Sequence, residues 1–201
     1  HALQQYKLIH YWFKKGFLAD EMAQNLLQRL KTMINMISTS VDISQLRGLE
    51  GATAKVIFSA IGSIAPQWCR FKGRNRRPPL DPINVLLSLS YSLVYAECTR
   101  ALTAHALDPM LGFYHEPVHG RYSLACDLTE RVRTEVEKWV LELVLIEQLK
   151  PIHFSYSEQY PCTLNKEGRA IFYPLWERKL KIWKKYLRLN AQSWAKIIDQ
   201  A

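Results

Sequence analysis

The sequence is poor in glycine, contains no long apolar run and has no paired cysteines. Only 8 glycines occur in 201 residues, and the absence of strand-length alternation of β-branched residues disfavours a sheet-rich fold. The most apolar stretch, residues 85–96, is interrupted by serines and falls well short of the ~20 residues that cross a bilayer. The 4 cysteines stand far apart without a C-x-x-C motif, which argues against a zinc site or a disulfide framework and favours reduced thiols.

Positive charge is what the sequence has in excess. Lys and Arg number 27 against 18 Asp and Glu, a net charge of +9, while the apolar share of 48% and the charged share of 22% are near the average of globular proteins. These values exclude a mainly disordered chain and predict a folded protein with a basic surface. The chain begins at His1 rather than Met and carries no signal-peptide pattern, so we expect it to be a piece of a longer protein.

Apolar residues recur at helical spacing along most of the chain, which predicts an all-α fold. The predicted helices cover residues 3–15, 19–37, 45–64, 82–102, 123–147 and 170–190. Asp42 or Ser44 can cap the third helix, and Asp81 followed by proline is typical of a helix start. Residues 1–44 are predicted to lead into a helical domain at 45–201, within a single α unit.

Two of the predicted helices each carry a line of apolar residues that is expected to face the core. The lines are Leu128, Val132, Val136, Val140 and Leu143 in one helix, and Phe172, Trp176, Leu180, Trp183 and Leu187 in the other. The tryptophans of the second line are expected in the core rather than on a stacking platform for nucleobases.

Basic residues cluster in one loop and along the last helix. The loop at 70–79 holds five cations and no acid within eight residues, and its glycine and prolines favour a loop. The candidates for DNA binding are Arg70, Lys72, Arg74, Arg76 and Arg77 in this loop, and Lys181, Lys185 and Arg188 on the helix. Such cations contact phosphates without regard to base sequence; the alternative is ordinary solvated charge.

Glu50 shares a predicted helix stripe with apolar residues. Helical spacing from it reaches Ala54, Ile57 and Ile61, and burying an unpaired carboxylate there would be costly. Two interpretations of Glu50 stay open. It could form an ion pair with Arg47, one turn earlier, or it could be a metal-binding or catalytic carboxylate.

Two further acids and one histidine could carry chemistry. Asp127 and Glu130 are three residues apart, so both lie on one helix face and could share a cation; a solvated acidic face is the alternative. His115 lies in the loop before that helix, where a lone histidine is ordinarily a surface residue. If these groups meet, the carboxylates favour Mg²⁺ or Mn²⁺ and the imidazole shifts the preference towards Mn²⁺.

Four segments form a recognisable series along the chain. They are LRGLEG at 46–51, NRRPPLDPIN at 75–84, LDP at 107–109 with GFYH at 112–115, and SLACDLTE at 123–130 with Arg133. In order, spacing and identity they resemble the helical catalytic domain of the CRISPR adaptation integrase family, Cas one. The match is strong over residues 45–137 and looser beyond, where LNKEGR at 164–169 is similar to the family's run before its final helix.

The resemblance implies a metal-dependent DNA integrase. Such an enzyme joins the 3′-hydroxyl ends of captured spacer fragments to CRISPR repeat borders by transesterification. Glu50, His115 and Glu130 match the family's metal ligands, with Mn²⁺ or Mg²⁺ as cofactor, and Asp127 matches a further catalytic acid, to which we assign a supporting role. The implied partners are DNA, as fragment and as repeat, and the small adaptation protein Cas two, which holds two integrase dimers apart.

One feature departs from the family pattern. Its members normally carry an N-terminal β-rich domain that forms much of the dimer contact, and nothing before residue 45 is predicted as strands. We therefore expect a larger parent, fused upstream to a reverse transcriptase or another adaptation domain, or else a naturally short form. Without upstream polypeptide and Cas two, the segment is expected to fold and to bind metal and DNA but not to integrate efficiently. The resemblance also implies a cytoplasmic prokaryotic protein.

Three other functions are open as alternatives. A transposon-borne homologue would insert transposon ends by the same chemistry. A catalytically silent DNA-binding assembly module would be expected to lack one of Glu50, His115 and Glu130, and all three are present. A tyrosine recombinase would leave the acids and His115 unexplained.

Overall fold

The computed structural model describes residues 1–155 and 161–200, and most of them are helical. In this part of the chain the α-helices are α1 (Ala2–Lys14), α2 (Asp20–Thr39), α3 (Ile43–Ile64), α4 (Pro82–Thr103), α5 (Ser123–Glu130), α6 (Arg133–Leu145) and α7 (Lys166–Ile198). Single 3-10 turns occur at Gln67–Cys69 and Pro151–His153, and β1 (Phe154–Ser155) pairs antiparallel with β2 (Thr163–Leu164). The predicted all-α class is confirmed.

Side-chain caps explain where three of the helices begin. Asp42, rather than Ser44, caps α3 by accepting the Ser44 amide at 3.1 Å. Asp81 caps α4 through the Asn84 amide at 2.9 Å, and proline follows at the first helical position, where its missing N–H costs nothing. Asn165 caps α7 through the Gly168 amide at 2.8 Å.

The core is one continuous hydrophobic cluster in which α4 is central. This helix packs against α5, α6 and α7, while α1 packs against α2, α3 and α6. Both predicted apolar lines are buried, and the ring of Trp139 lies 5.5 Å from Phe172, 5.8 Å from Trp176 and 5.9 Å from Trp183 between centroids. These tryptophans are therefore core residues, as expected. The division of the chain at residue 44 stays a prediction.

The single helix predicted over residues 123–147 is wrong, because the chain forms two helices there. The amides of Arg131 and Val132 bond three residues back, to Leu128 and Thr129, which tightens and closes α5. The Thr129 hydroxyl also donates to the Ala125 carbonyl at 2.8 Å, a contact that bends helices. Val132 leaves the helix yet stays buried.

The last helix is longer than the predicted 170–190 at both ends. Its cap at Asn165 places Gly168 in the first turn, where an added Cβ would lie 2.5 Å from the His153 carbonyl oxygen. At the other end the helix continues past Trp194, which packs edge-on against Phe113 at 5.7 Å between centroids. That tertiary contact, which local sequence does not encode, lies beyond the predicted helix end.

No membrane-spanning helix is found among the described residues. None of the described helices combines the length with the apolar character that crossing a bilayer requires.

Candidate active site

The loop at 112–115, here called the histidine loop, is bound by one carboxylate of α5. Asp127 Oδ2 accepts the amides of Phe113 at 2.7 Å and Tyr114 at 3.1 Å. Its Oδ1 accepts the His115 amide at 3.0 Å and lies 2.5 Å from His115 Nδ1. A carboxylate has about four acceptor positions, so this one is fully used. The supporting role assigned to Asp127 is thus compatible with its contacts.

Gly112 allows the histidine loop to fold tightly onto the start of α5. A Cβ at this position would lie 2.3 Å from the His115 carbonyl oxygen and 2.8 Å from Ser123 Cβ. The first of these atoms belongs to the backbone and the second to a short side chain, so neither can move aside by a side-chain rotation. A residue without a side chain is therefore required for the approach that brings His115 to Asp127.

The contact between His115 and Asp127 shifts both pKa values in the direction of an ion pair. The hydrogen bond that the His115 ring donates to Asp127 raises the pKa of His115, against an opposing effect of burial. Burial pushes the pKa of Asp127 upwards, but the His115 ring and the three loop amides outweigh it and lower the pKa. Because Nδ1 is bonded to the carboxylate, Nε2 is the ring nitrogen left to bind a metal.

A second group of side chains, here called the acid cluster, surrounds one guanidinium. It consists of Glu50 on α3, Glu130 at the end of α5, and Arg133 and Glu137 on α6. Arg133 Nη1 lies 2.7 Å from Glu130 and 3.6 Å from Glu50, and Arg133 Nε lies 3.4 Å from Glu137. The structure therefore brings Glu50 and Glu130 to the same cation.

The acid cluster contains buried polar atoms whose hydrogen-bonding capacity is unused. Among the described residues, Glu130 Oε2, Arg133 Nε and Glu137 Oε2 are buried without a hydrogen-bond partner. Glu130 Oε2 lies 3.7 Å from His1 Nε2, too far for a hydrogen bond. Burial raises the pKa of Glu137 to about 7, against the opposing influence of Arg133. Unsatisfied buried groups are rare in folded proteins, and each calls for an explanation.

The ion pair between Arg47 and Glu50, one of the two interpretations above, is not formed. Arg47 instead donates to Glu116 and to the Tyr114 carbonyl, both at 2.8 Å. The loop after α4 approaches α3 and offers these acceptors, which helical spacing cannot reveal. Arg47 thereby holds the histidine loop against α3, and Glu50 faces Arg133.

Two cavities meet at Glu50 and Tyr114, which line both. The first, of about 390 Å³, has Glu50, Asp127 and Glu130 on its polar side and the rings of Phe113 and Trp194 on its apolar side. The second, of about 440 Å³, contains His115 and five cations. Those cations are Arg47, Lys55, Arg74, Arg76 and Arg133. Glu50 and Tyr114 thus lie between the first cavity, which is mainly apolar, and the second cavity, which is basic.

The cations predicted to bind DNA differ in how the fold uses them. Most of them are exposed, namely Arg70, Lys72, Arg76, Arg77, Lys181, Lys185 and Arg188. Arg74 is half-buried and donates to Asn84 at 2.9 Å and to Ser88 at 3.0 Å. Its guanidinium therefore joins the loop to α4. The sequence signal for this role was weak, because all the loop cations stand in the same sequence context.

The donor set fits a divalent cation in chemistry, although the side chains do not converge in advance. Two carboxylates and an imidazole are suitable ligands for Mn²⁺ or Mg²⁺, and Glu130 Oε2 is a buried acceptor without a hydrogen bond. Within residues 1–155 and 161–200, however, no group of three or more His, Cys, Asp or Glu side chains is arranged to hold a metal ion. Arg133 occupies the space between the two glutamates.

Several residues of the site carry no sequence signal strong enough to predict their role. Tyr114, beside Glu50, has a raised pKa because of burial and a hydrogen bond to that carboxylate. Trp194 lies beyond the predicted end of its helix. Arg133 follows the SLACDLTE segment by three residues. Spacing alone predicts its contact with Glu130 but not its position among three acids.

Comparison with known proteins finds relatives in one protein family. The family model described as CRISPR associated protein Cas1 matches residues 2–178. CRISPR-associated endonuclease Cas1 1 of Thermodesulfovibrio yellowstonii is 38% identical over 169 residues, covering 84% of this chain and 53% of the relative. This chain therefore spans about half the length of that relative.

Solved structures share the fold. A partial Cas6-RT-Cas1–Cas2 complex matches 99% of this chain and 63% of its own, with a TM-score of 0.88 and 24% identity. A casposase bound to an integration product matches 96% of this chain and 56% of its own, with a TM-score of 0.77 and 24% identity. By the match of the family model over most of its length, this chain belongs to the Cas1 family.

Proposed function

We propose that this chain is the catalytic part of a CRISPR adaptation integrase that joins captured DNA fragments to a repeat array by transesterification. The observation that carries the proposal is the contact of Glu50 and Glu130 with one guanidinium beside a basic cavity that His115 also lines. These residues come from three separate segments, and nothing in the packing of a helical core requires them to be polar. DNA and a Cas2-type protein are the proposed partners.

Glu50, His115 through Nε2, and Glu130 would hold the divalent cation. Bound there, Mn²⁺ or Mg²⁺ would supply Lewis-acid polarisation of the target phosphodiester and favour the ionised 3′-hydroxyl. In the transfer, the fragment's 3′-oxygen forms a bond to phosphorus while the bond to the repeat's 3′-oxygen breaks. The number of phosphodiester bonds is unchanged, and no covalent intermediate with the protein is required.

The protein's own residues would position the reacting strands. Asp127 fixes the orientation of the His115 ring, so that Nε2 points away from the loop. The exposed loop cations and the basic cavity would bind phosphates, with Arg76 next to the acid cluster. The exposed cations of α7, Lys181, Lys185 and Arg188, would extend this contact.

The test is a strand-transfer assay with a supercoiled array plasmid, Mn²⁺, the upstream polypeptide and a Cas2-type partner. Glu50→Gln, His115→Ala and Glu130→Gln are expected to reduce joining to background while leaving duplex binding in a gel-shift assay intact. His119→Ala is the matched control, because His119 is exposed and lies only four residues beyond His115. Joining at near-parent rates by any of the three site variants would contradict the assignment.

A transposon-borne integrase is the second candidate, supported by the structural likeness to a casposase. The chemistry at the site would be the same, so only the donor DNA differs. Offering transposon-end and spacer-like fragments in competition distinguishes the two functions. The likeness to a Cas6-RT-Cas1–Cas2 complex similarly supports a parent fused to a reverse transcriptase.

A further inference from the structure

We propose that Arg133 is a built-in competitor of the divalent cation, which holds Glu50 and Glu130 in the metal-free protein and moves onto Glu137 when the metal binds. The inference rests on the proposed function, because it concerns the same site. It assigns to Arg133 a positioning role, since its effect on the reaction would pass through the two carboxylates.

The excess negative charge of the acid cluster favours the binding of a second cation beside Arg133. Three carboxylates, those of Glu50, Glu130 and Glu137, surround one guanidinium whose side chain is 12% exposed. A single positive charge cannot neutralise Glu50 and Glu130 together, whatever the charge of Glu137, and in a buried setting such an excess is poorly screened by solvent. A divalent cation added beside Glu50 and Glu130 would bring the cluster close to neutrality.

The unused hydrogen-bonding atoms indicate where Arg133 would go. Arg133 Nε and Glu137 Oε2 are both buried and unpartnered, although the guanidinium already lies 3.4 Å from the other oxygen of Glu137. A small shift towards Glu137 would let these two atoms bond to each other. The same shift would free Glu130, whose Oε2 is the third unpartnered atom and is then available to the metal. One movement would thus pair Arg133 Nε with Glu137 Oε2 and leave Glu130 Oε2 to the metal.

The surroundings of Glu137 are suited to receive the guanidinium. The Tyr91 hydroxyl holds Glu137 in place with a hydrogen bond of 2.9 Å. The Tyr91 ring lies 5.6 Å from the Arg133 guanidinium, within the range of a cation–π contact. Arg133 would therefore keep a partner after leaving the ligands. A purely structural Arg133 would instead keep its contacts with Glu50 and Glu130 in the metal-bound protein.

The experiment is a Mn²⁺ titration of the chain, followed by electron paramagnetic resonance of the free ion and by the thermal unfolding temperature. Arg133→Gln is expected to bind Mn²⁺ roughly ten-fold more tightly than the parent, because a buried competing charge is removed. Arg131→Gln is the matched control: Arg131 also lines the first cavity and is exposed, so its removal should change the affinity by no more than about two-fold.

A double-mutant cycle with Glu137 tests the movement itself. Glu137→Gln should weaken Mn²⁺ binding several-fold in the parent, because Arg133 loses the partner to which it would move. In the Arg133→Gln background the same substitution should have much less effect. If Arg133→Gln does not fold by circular dichroism, Arg133→Lys is the second variant. Its single ammonium keeps the charge but cannot contact Glu130 and Glu137 together, so it should hold the ligands less firmly and bind Mn²⁺ more tightly than the parent, by less than about ten-fold.

The outcomes separate this inference from the proposed function. Equal or weaker Mn²⁺ binding by the folded Arg133 variants, with binding still lost in Glu130→Gln, overturns the competitor role and leaves the proposed site standing. Additive effects of Arg133→Gln and Glu137→Gln overturn the movement onto Glu137. Absence of Mn²⁺ binding in every variant, including the parent, overturns both proposals.

Discussion

The two halves of the candidate active site are held in opposite ways. In the histidine loop, every acceptor position of Asp127 is used, and Gly112 permits a close backbone approach. In the acid cluster, three carboxylates share one guanidinium and three buried atoms lack hydrogen bonds. A group whose bonds are all made is fixed before a ligand arrives, whereas a cluster with surplus charge is completed by a cation. Substitutions in the two halves should therefore differ in kind.

The largest effect on stability is expected from Asp127→Ala. Three loop amides and the His115 ring would lose their acceptor, and buried unsatisfied donors are costly, so the free energy of unfolding should fall by about 3 kcal/mol. Urea denaturation measures the loss. Glu116→Ala is the control, because Glu116 is exposed and its pair with Arg47 should contribute less than about 1 kcal/mol. Equal losses in the two variants would remove the distinction drawn for the histidine loop.

Gly112→Ala should lower the free energy of unfolding by somewhat less, about 2 kcal/mol, because the histidine loop must move to relieve the backbone contacts of the new side chain. The matched control is Gly48→Ala on α3, where an added Cβ meets nothing within 4 Å. Alanine is the better helix former, so this variant should be stabilised by up to about 1 kcal/mol. Thermal unfolding of the two variants should shift in opposite directions, and a stable Gly112→Ala would show that the loop tolerates a side chain.

The basic loop offers a comparison between a cation bound by the fold and an exposed one. Arg74→Gln should lower stability by about 1–2 kcal/mol, because it breaks the bonds to Asn84 and Ser88. Arg76→Gln should leave stability unchanged but flatten the dependence of log K for DNA on log salt by about 0.9 for each lost phosphate contact. An unchanged salt slope for Arg76→Gln would exclude that residue from the DNA surface.

A small effect on the stability of the metal-free protein is expected from Glu130→Gln. Removing one of three like charges offsets the lost bond to Arg133, so stability should change by less than about 1 kcal/mol. The parent should gain about 2.7 kcal/mol with free Mn²⁺ at one hundred times its dissociation constant, and this gain should vanish in the variant. A chelator should reverse the gain in the parent. A Mn²⁺ effect that survives the substitution would place the ion elsewhere.

Much of the fold could be predicted from the sequence because its signals are local. The caps at Asp42 and Asp81 and both buried apolar lines depend on residues within a few turns of one another, and the structure contains them. The break after Glu130 could not be predicted in this way. The apolar line continues through Val132 without interruption, and only the three-residue bonds of the backbone reveal that the helix ends.

The candidate site was predictable in its residue types but not in its contacts. Similarity of motifs singled out Glu50, His115 and Glu130, and their assignment as ligands stays a prediction. The partner of Arg47, the saturated state of Asp127 and the position of Arg133 among three acids depend on how loops and helices meet in space. Spacing along one helix carries no information about such contacts, so it could not decide between an Arg47 pair and the other interpretation of Glu50.

The length of α7 links the far end of the molecule to the apolar wall of the first cavity. Gly168 fixes the start of this helix against the His153 carbonyl, and Trp194 forms part of the cavity wall. The two residues are about 39 Å apart at 1.5 Å per residue, so a tilt of about 3° at Gly168 would displace the indole by about 2 Å. Packing of α7 against α4 and α5 opposes such a tilt. The width of the first cavity is therefore controlled by core packing along α7, including packing at a distance from Trp194.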